Sequence, residues 1–260
     1  MSSVPARLAL QFSRFIPFAL FLAAWQGVAK SGLVDPTFLP SVGAVSHALI
    51  DLMAGPAFYF DLAVTFGRSL GGLALGAIIG IPIGAGMAVS RGINGFFGPL
   101  VKATYALPKT ALIPLLILWL GIGSATNIVA VMLSTLLPFV VYTYHGIIGV
   151  PQMLVWSAQA MGVPKQRMLW KVLLPAAQHA ILTGFRIALG FSFVIAIAAE
   201  MIAAQTGIGK LMFIYGESGA YDYMFAAVTA IMVLAFLADR LTVAMSNHIL
   251  RWDDIENRLG

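Results

Sequence analysis

The longest stretch without a charged residue runs from Thr110 to Tyr144, 35 positions. A helix rises about 1.5 Å per residue and the hydrocarbon core of a bilayer is about 30 Å thick, so a single helix of this length would overshoot the membrane. The segment GIGSATN at Gly121–Asn127 supplies a break. We therefore predict two membrane-spanning helices here, at about Phe97–Leu120 and Ile128–Ile148.

The composition of the whole chain also indicates a membrane protein. Of its 260 residues, 60% are hydrophobic and 10% are charged, whereas a soluble domain has about 25% charged residues. The absence of cysteine excludes disulfides and thiolate metal sites. A net charge of +5 is modest, and in a membrane protein it is more typical of basic inner loops than of nucleic-acid binding. The predicted fold class is an all-α membrane protein.

Four further stretches are apolar enough to cross a bilayer: Phe15–Ala29, Leu62–Val89, Ala176–Ala204 and Tyr223–Met245. Arg7 and Arg14 precede the first stretch, as in a signal peptide, but no convincing cleavage site follows, and we expect a retained span. A short amphipathic helix is expected near Val42–Met53, after Ser41. A loop is expected over Gln205–Asp222.

Glycines recur every four residues along the second span, at Gly72, Gly76, Gly80 and Gly84. This spacing places them on one face of a helix, and small residues on one face allow two helices to approach closely in lipid. We predict helix packing at this face and assign it no ligand.

Six spans place both ends of the chain on the same side of the membrane, and lysine and arginine concentrate in cytoplasmic loops. The basic residues on that side would be Arg7, Arg14, Arg91, Lys102, Lys165, Arg167, Lys171, Arg240, Arg251 and Arg258. The other side would hold Lys30 and Lys210 beside Asp35, Asp51, Asp61, Glu217 and Asp222. Both termini are therefore expected in the cytoplasm.

A polar island interrupts the apolar chain at residues 151–175, PQMLVWSAQAMGVPKQRMLWKVLLP. Met153 and Trp156 can contribute to an apolar edge on a short helix, and Gly162 permits a tight turn before Pro164. Isolated helices of fewer than about 12–15 residues are marginal in water, so this helix needs its flanking spans and a partner. The alternative is a surface loop with no partner.

The island resembles the EAA loop of binding-protein-dependent ABC transporter permeases. That pattern has two small residues, a glycine a few positions later and an apolar–x–Leu–Pro ending. Its matching positions here are Ser157, Ala158, Gly162, Val172, Leu174 and Pro175, while Trp156 stands where the pattern has glutamate. Five more segments resemble the nitrate/sulfonate/taurine/bicarbonate branch of that family: Leu39–Ser41, Arg68–Gly76, Leu107–Gly123, Gly184–Gly190 and Ala199–Leu211.

The resemblance implies a type I (MetI-like) importer permease fold of six transmembrane helices in a bacterial inner membrane. It divides the chain into an N-terminal helix with an external segment (1–60), a five-helix core (61–250) and a cytoplasmic tail (251–260). The island would dock as a coupling helix on a cytoplasmic ABC ATPase dimer. Its coupling residues would be Trp156, Ser157, Ala158, Met161, Gly162, Val163, Pro164 and Pro175.

The same resemblance implies a homodimeric pore, an extracytoplasmic solute-binding protein and a small anionic solute. No motor is expected in this chain, because GIGKL at Gly207–Leu211 lacks the spacing of a phosphate-binding loop. ATP hydrolysis would therefore belong to a separate subunit, and this chain would not be an enzyme. No cofactor and no metal are expected, since the four histidines are scattered.

Lys109, Arg186 and Glu200 are ionisable residues that fall inside predicted spans. Counted along straight helices, Lys109 and Arg186 both lie roughly 16 Å from the cytoplasmic ends of their spans. Such residues usually face a cavity or a partner, and Pro108 and Pro114 beside Lys109 can break the helix. Lys109 and Arg186 either line the translocation pathway and favour an anion, or serve structure, with Arg186 bonding backbone carbonyls and Lys109 reaching the interface.

Glu200 lies near the outer end of the fifth span. It either closes a gate or contacts a docked binding protein, or it belongs to a helix-ending turn with Gly207 and Gly209. Arg68 is its expected partner in either case.

A self-sufficient secondary transporter or channel is the competing function. It requires intramembrane carboxylates for ion coupling, and among Lys109, Arg186 and Glu200 only Glu200 is a carboxylate.

Overall fold

The computed structural model of the chain describes residues 16–250, and all of the regular structure in that range is helical. The helices are α1 (Ile16–Lys30), α2 (Val42–Ala54), α3 (Pro56–Val89), α4 (Arg91–Tyr105), α5 (Ile113–Leu120), α6 (Ser124–Ile148), α7 (Gln152–Ala160), α8 (Lys165–Met168), α9 (Leu174–Ala176), α10 (Gln178–Ala203), α11 (Ile208–Glu217) and α12 (Tyr221–Ile249). A 3-10 turn at Lys109–Leu112 precedes α5, and a π turn at Leu169–Leu173 follows α8.

Four helices are long and apolar enough to cross a membrane: α3, α6, α10 and α12. A fifth crossing is formed if α4 and the segment Lys109–Leu120 are taken together as one bent span. Two shorter apolar helices, α1 and α2, are also present, and α1 lies where the first of the six spans was predicted. Arg7, Arg14, Arg251, Arg258 and the tail at 251–260 lie outside the described residues.

The third span differs from the straight helix that was predicted over Phe97–Leu120. Its two parts meet at an angle of 96°, because Pro108 cannot continue a helix and biases the preceding residue away from helical backbone. The predicted depth of Lys109 assumed an unbroken helix and is therefore wrong. The predicted loop at Gln205–Asp222 is also wrong, because α11 occupies ten of its residues.

One compact unit comprises residues 16–59 and 211–231 of the described chain. Ser41 caps α2 by accepting a hydrogen bond from the amide of Ala44 at 3.2 Å, and this helix confirms the predicted one. The indole of Trp25 donates to the carbonyl of Pro40 at 3.1 Å, which ties α1 to the start of α2. Tyr223 donates to Asp51 at 3.2 Å and joins the start of α12 to the same helix.

The second unit comprises residues 60–210 and 232–250, and the glycine face of α3 determines its packing. A Cβ on Gly76 would lie 2.2 Å from the hydroxyl oxygen of Thr135, and one on Gly84 would lie 2.4 Å from the carbonyl oxygen of Val140. These contacts confirm the predicted helix packing, with α6 as the partner helix. Alanines of α10, including Ala196 and Ala199, are fully buried in a cluster with Ala130 and Val131 of α6.

We predict that Gly84→Ala destabilises the protein, since the new methyl group meets backbone atoms that cannot move aside. Overpacking of this kind costs about 1–3 kcal/mol. Gly67→Ala is the matched control on the same helix, because a Cβ there meets nothing within 4 Å. Thermal unfolding in detergent should show a lower midpoint for Gly84→Ala alone. Equal midpoints for the two variants would contradict the packing role of Gly84.

Candidate functional site

The polar island forms a short helix that ends in a glycine turn. Pro151 precedes α7, and Gly162 follows its end with φ of +77°. The amide of Val163 donates to the carbonyl of Ala158 at 3.0 Å, and the amide of Gly162 donates to that of Gln159 at 2.9 Å. These two bonds define a Schellman motif, whose left-handed position favours glycine. The left-handed backbone at Gly162 therefore explains why the EAA-like pattern has a glycine at this position.

The side chains of α7 are mostly exposed although many are apolar. The exposed apolar residues of the island are Met153, Leu154, Trp156, Met161 and Trp170. Ser157, Gly162 and Pro164 are exposed too, whereas Val163 and Pro175 are half-buried. Ala158 is 3% exposed, so it holds α7 against its own chain. An apolar surface on a nine-residue helix is typical of a docking surface.

A π turn connects the island to the fifth span. Pro175 lacks an amide proton and its ring clashes with the carbonyl four residues earlier in an α-helix. The preceding segment, Leu169–Leu173, is wider than an α-helix, and the amide of Leu174 donates to the carbonyl of Leu169, five residues back. The Leu–Pro ending of the island therefore accompanies a local change in helix geometry directly before α10.

Lys109 lies in the 3-10 turn at the break of the third span. Its ammonium donates to the carbonyl of Tyr105 at 3.1 Å and lies 5.6 Å from the centroid of that ring. Pro108 lines the same cavity of about 350 Å³ as Lys109, together with Phe191 and Val194 of α10. Pro114 occupies the start of α5, where its missing amide proton costs no hydrogen bond.

Arg186 forms an ion pair that the sequence prediction missed. Its Nε and Nη2 atoms donate to the two carboxylate oxygens of Asp239 in α12, at 2.5 Å and 2.9 Å. Asp239 lies inside the predicted sixth span beside Arg240. A carboxylate ten residues before the end of an apolar helix was the signal that could have identified it.

One face of α10 carries polar and small residues that are exposed. The residues are His179, Thr183, Arg186 and Gly190, and their spacing of three or four places them one above the other on the helix. A Cβ on Gly190 would meet nothing within 4 Å, so this glycine is not required for packing within the chain. A polar face on a membrane-spanning helix is expected to contact water or protein and not lipid.

Glu200 lies in a buried network with no exposed surface. Its carboxylate accepts hydrogen bonds from Arg68 and Thr65, both at 2.8 Å, and from the amide of Gly209 at 3.0 Å. The predicted contact with Arg68 is thus confirmed. A Cβ on Gly207 would lie 2.4 Å from the carboxylate, so the glycine turn closes over it. These contacts favour the structural interpretation of Glu200 over a gate or a docking contact.

Arg68 extends this network to the loop before α11. It donates to the carbonyl of Thr206 at 2.7 Å and to the hydroxyl of Ser124 at 3.1 Å. Asp61 accepts from the amide of Gly207 at 2.6 Å. Side chains of α3 therefore fix the loop that leads from α10 into α11. Among residues 16–250, no three His, Cys, Asp or Glu side chains are grouped to hold a metal ion.

Comparison with known proteins gives one consistent family. Residues 72–251 match the family model described as "Binding-protein-dependent transport system inner membrane component". The taurine transport system permease protein TauC of Escherichia coli K12 is 32% identical, over 90% of this chain and 87% of that protein. The putative aliphatic sulfonates transport permease protein SsuC of the same organism is 32% identical, over 92% and 90%.

Solved structures show the same fold. An inward-facing structure of the MetNI methionine ABC transporter superposes with a TM-score of 0.66 at 19% identity, covering 74% of this chain and 96% of that one. A bacterial alginate ABC transporter in complex with alginate pentasaccharide-bound periplasmic protein gives a TM-score of 0.57 at 16% identity, covering 94% and 97%. The all-α type I importer permease fold is therefore confirmed.

We predict that Glu200→Gln strongly destabilises the chain, because it leaves the buried charge of Arg68 without a counter-charge. Removing one partner of a buried pair costs about 3–5 kcal/mol. Glu217→Gln, at an exposed position on α11, is the matched control. Thermal unfolding should show a large loss for Glu200→Gln, partly recovered in Arg68→Met/Glu200→Met. An unchanged midpoint for Glu200→Gln would contradict the structural role.

Proposed function

We propose, from the premise that this chain belongs to the family of binding-protein-dependent transport system inner membrane components, that two copies form the membrane pathway of an importer for a small anionic solute. Family membership rests on the model match over residues 72–251 and on relatives 32% identical along most of the chain. The chain is thus a multi-pass inner-membrane permease of an ABC importer, of the branch that contains the taurine and sulfonate permeases. What we propose beyond family membership is the homodimer, the partner proteins and the class of solute.

The coupling segment at 151–175 supports a cytoplasmic ATPase as partner. The coupling surface consists of Trp156, Met161 and the backbone around Gly162, with Ser157, Val163 and Pro164 beside them. Ala158 seats α7 against the chain, and Pro175 lies after the π turn that joins this segment to α10. A partner that covers Met161, 77% exposed, would remove apolar surface from water, which stabilises the complex.

Hydrolysis of ATP is assigned to the partner and not to this chain. The distribution of lysine and arginine supports a cytoplasmic position of the coupling segment and of both termini. A solute-binding protein on the other side delivers the solute, as the family description implies.

The polar face of α10 supports a pathway that needs two copies. His179, Thr183, Arg186 and Gly190 are exposed on one copy, and exposure of such a face to lipid would be costly. A second copy that faces it would enclose a water-filled path between the two subunits. Lys109 lines a cavity together with Phe191 and Val194, which lie on the next turn of α10 after Gly190.

The charge of this face supports an anionic solute. Arg186 of this face and Asp239 of α12 form a pair with no net charge. Lys109, in the 3-10 turn, adds one positive charge to the proposed path. A net positive lining attracts anions, and the names of the two relatives, for taurine and aliphatic sulfonates, agree with a nitrate-, sulfonate- or taurine-like solute. The contacts of Glu200 support a structural role and not one in the path.

The coupling role predicts that Met161→Glu prevents activation of the ATPase. A charge at the centre of an apolar contact must be desolvated without a partner, which is costly. In the assembled complex, hydrolysis stimulated by the loaded binding protein should fall by about tenfold, the equivalent of ~1.4 kcal/mol. Met161→Leu, which keeps the apolar surface, should retain it. Transport by the purified chain with no ATPase would overturn the function and favour a secondary transporter.

The pathway role predicts that Lys109→Met and Arg186→Gln reduce uptake of a radiolabelled sulfonate in proteoliposomes. A loss of about tenfold per charge corresponds to ~1.4 kcal/mol. Lys109→Arg keeps the positive charge and is the matched control. Unchanged uptake by correctly assembled Lys109→Met and Arg186→Gln complexes would remove both residues from the path.

A further inference from the structure

We propose that the contact between α3 and the first turn of α6 contains a binding site for one water molecule. This water bridges the side chains of Asn127 and Ser69 and joins both to the network of Arg68 and Glu200. The site lies in the interior of a single copy of the chain. The inference is therefore independent of the number of copies, the partners and the solute.

Two side chains in this contact are fully buried and lack a hydrogen-bond partner. Asn127 and Ser69 are each 0% exposed. Neither Nδ2 nor Oδ1 of Asn127 has a partner among residues 16–250, and the same holds for Oγ of Ser69. Most buried polar side-chain atoms in proteins bond to another protein group or to an ordered water, because a buried donor or acceptor with no partner is costly. The unpartnered atoms therefore point to a bound molecule.

The glycine face of α3 gives the register of the two helices. A Cβ on Gly72 would clash with the side chain of Val131, and one on Gly76 would clash with that of Thr135. A step of four residues on α3 thus matches a step of four residues on α6, and the two helices run in the same direction. The next layer of the contact lies one turn before Gly72 on α3 and one turn before Val131 on α6.

Ser69 and Asn127 occupy this next layer. By their spacing, Ser69 lies on the glycine face of α3 and Asn127 lies on the facing side of α6. A bond next to them agrees with the register, because Nε of Arg68 donates to Oγ of Ser124 at 3.1 Å. Arg68 is the neighbour of Ser69, and Ser124 is one turn before Asn127. The two unpartnered side chains therefore lie in the same layer, yet no direct bond joins them.

Arg68 connects this layer to the buried ion pair. Its Nη1 donates to Glu200 at 2.8 Å and to the carbonyl of Thr206 at 2.7 Å, and its Nη2 donates to the hydroxyl of Thr206 at 3.2 Å. Nη2 carries a second hydrogen, which has no acceptor among the described residues. This hydrogen can supply the third bond to a water held by Asn127 and Ser69. Buried waters typically make about three hydrogen bonds.

Charge and space favour water over other small ligands. The guanidinium of Arg68 repels a cation, and Glu200 already neutralises the charge that would attract an anion. Space is limited, because α3 and α6 touch one turn away at Gly72. The carboxamide of Asn127 and the hydroxyl of Ser69 both donate and accept. A small neutral ligand that does the same is required, and water meets this requirement.

The direct test is a structure of the full-length wild-type permease in lipid nanodiscs, by electron cryo-microscopy with a bound antibody fragment, at a resolution that shows ordered water. We expect one isolated density within hydrogen-bonding distance of both Asn127 and Ser69. A direct contact between the two side chains, or a well-defined map with no density between them, would overturn the proposal.

Two variants test the bridge through the stability of the chain. Ser69→Ala and Asn127→Leu should each lower the midpoint of thermal unfolding in detergent, because each breaks the same bridge. The double variant should lose much less than the sum of the two shifts, since the bridge can be lost only once. Ser192→Ala is the matched control: this buried serine of α10 donates to the carbonyl of Leu189 at 2.7 Å, and its shift should add to that of Asn127→Leu.

Two stability results would contradict the bridge. A higher midpoint for Asn127→Leu would mean that the carboxamide has no partner in the wild-type protein, because an apolar side chain of similar shape would then remove a cost. Additive shifts for Ser69→Ala and Asn127→Leu would mean that the two side chains share no ligand. Neither result bears on the proposed function, which is tested by ATP hydrolysis in the assembled complex.

Discussion

A charged side chain in hydrocarbon must find an opposite charge, hydrogen-bonding groups or water, and this requirement explains the internal arrangement of the chain. Glu200 satisfies it with Arg68, Thr65 and the amide of Gly209, all within 3.0 Å. This network fixes the end of α10 to α3 and to the start of α11. Arg186 satisfies the same requirement with Asp239 but stays partly open. The two charges therefore differ in enclosure, since the side chain of Glu200 is 0% exposed and that of Arg186 is 56% exposed.

Helix packing inside the second unit is explained by a second effect of lipid. Lipid tails are as apolar as the helices, so no strong hydrophobic force drives two helices together. Close approach then has to come from small side chains. Gly76 and Gly84 of α3 supply it toward α6, and the alanines of α10 supply it where α10 packs on α6. The polar face of α10 lies outside this packing and is exposed.

Much of the fold could be predicted from the sequence, because long apolar stretches and their charged flanks follow directly from the thickness of a bilayer. The glycine face, the helix α2 after Ser41 and the contact of Arg68 with Glu200 were all predicted from spacing or position. The bend at Pro108 was expected only as a kink, since a proline predicts where a helix breaks and not the angle of 96°. The helix α11 was missed because its flanking glycines, which the turn over Glu200 requires, indicated a loop. Asp239 was missed because pairing across two distant helices leaves no periodic signal in either.

The coupling segment and the accessible ion pair belong to one continuous stretch of backbone. The Schellman turn at Gly162 orients the segment, the π turn at Leu169–Leu173 follows it, and α10 begins at Gln178 with Arg186 two turns later. π turns are frequent at functional positions because they can shift the register of a helix by one residue. A displacement of α7 by a partner would therefore act first on the helix that carries the polar face. Arg186 would then move relative to its partner Asp239 on α12.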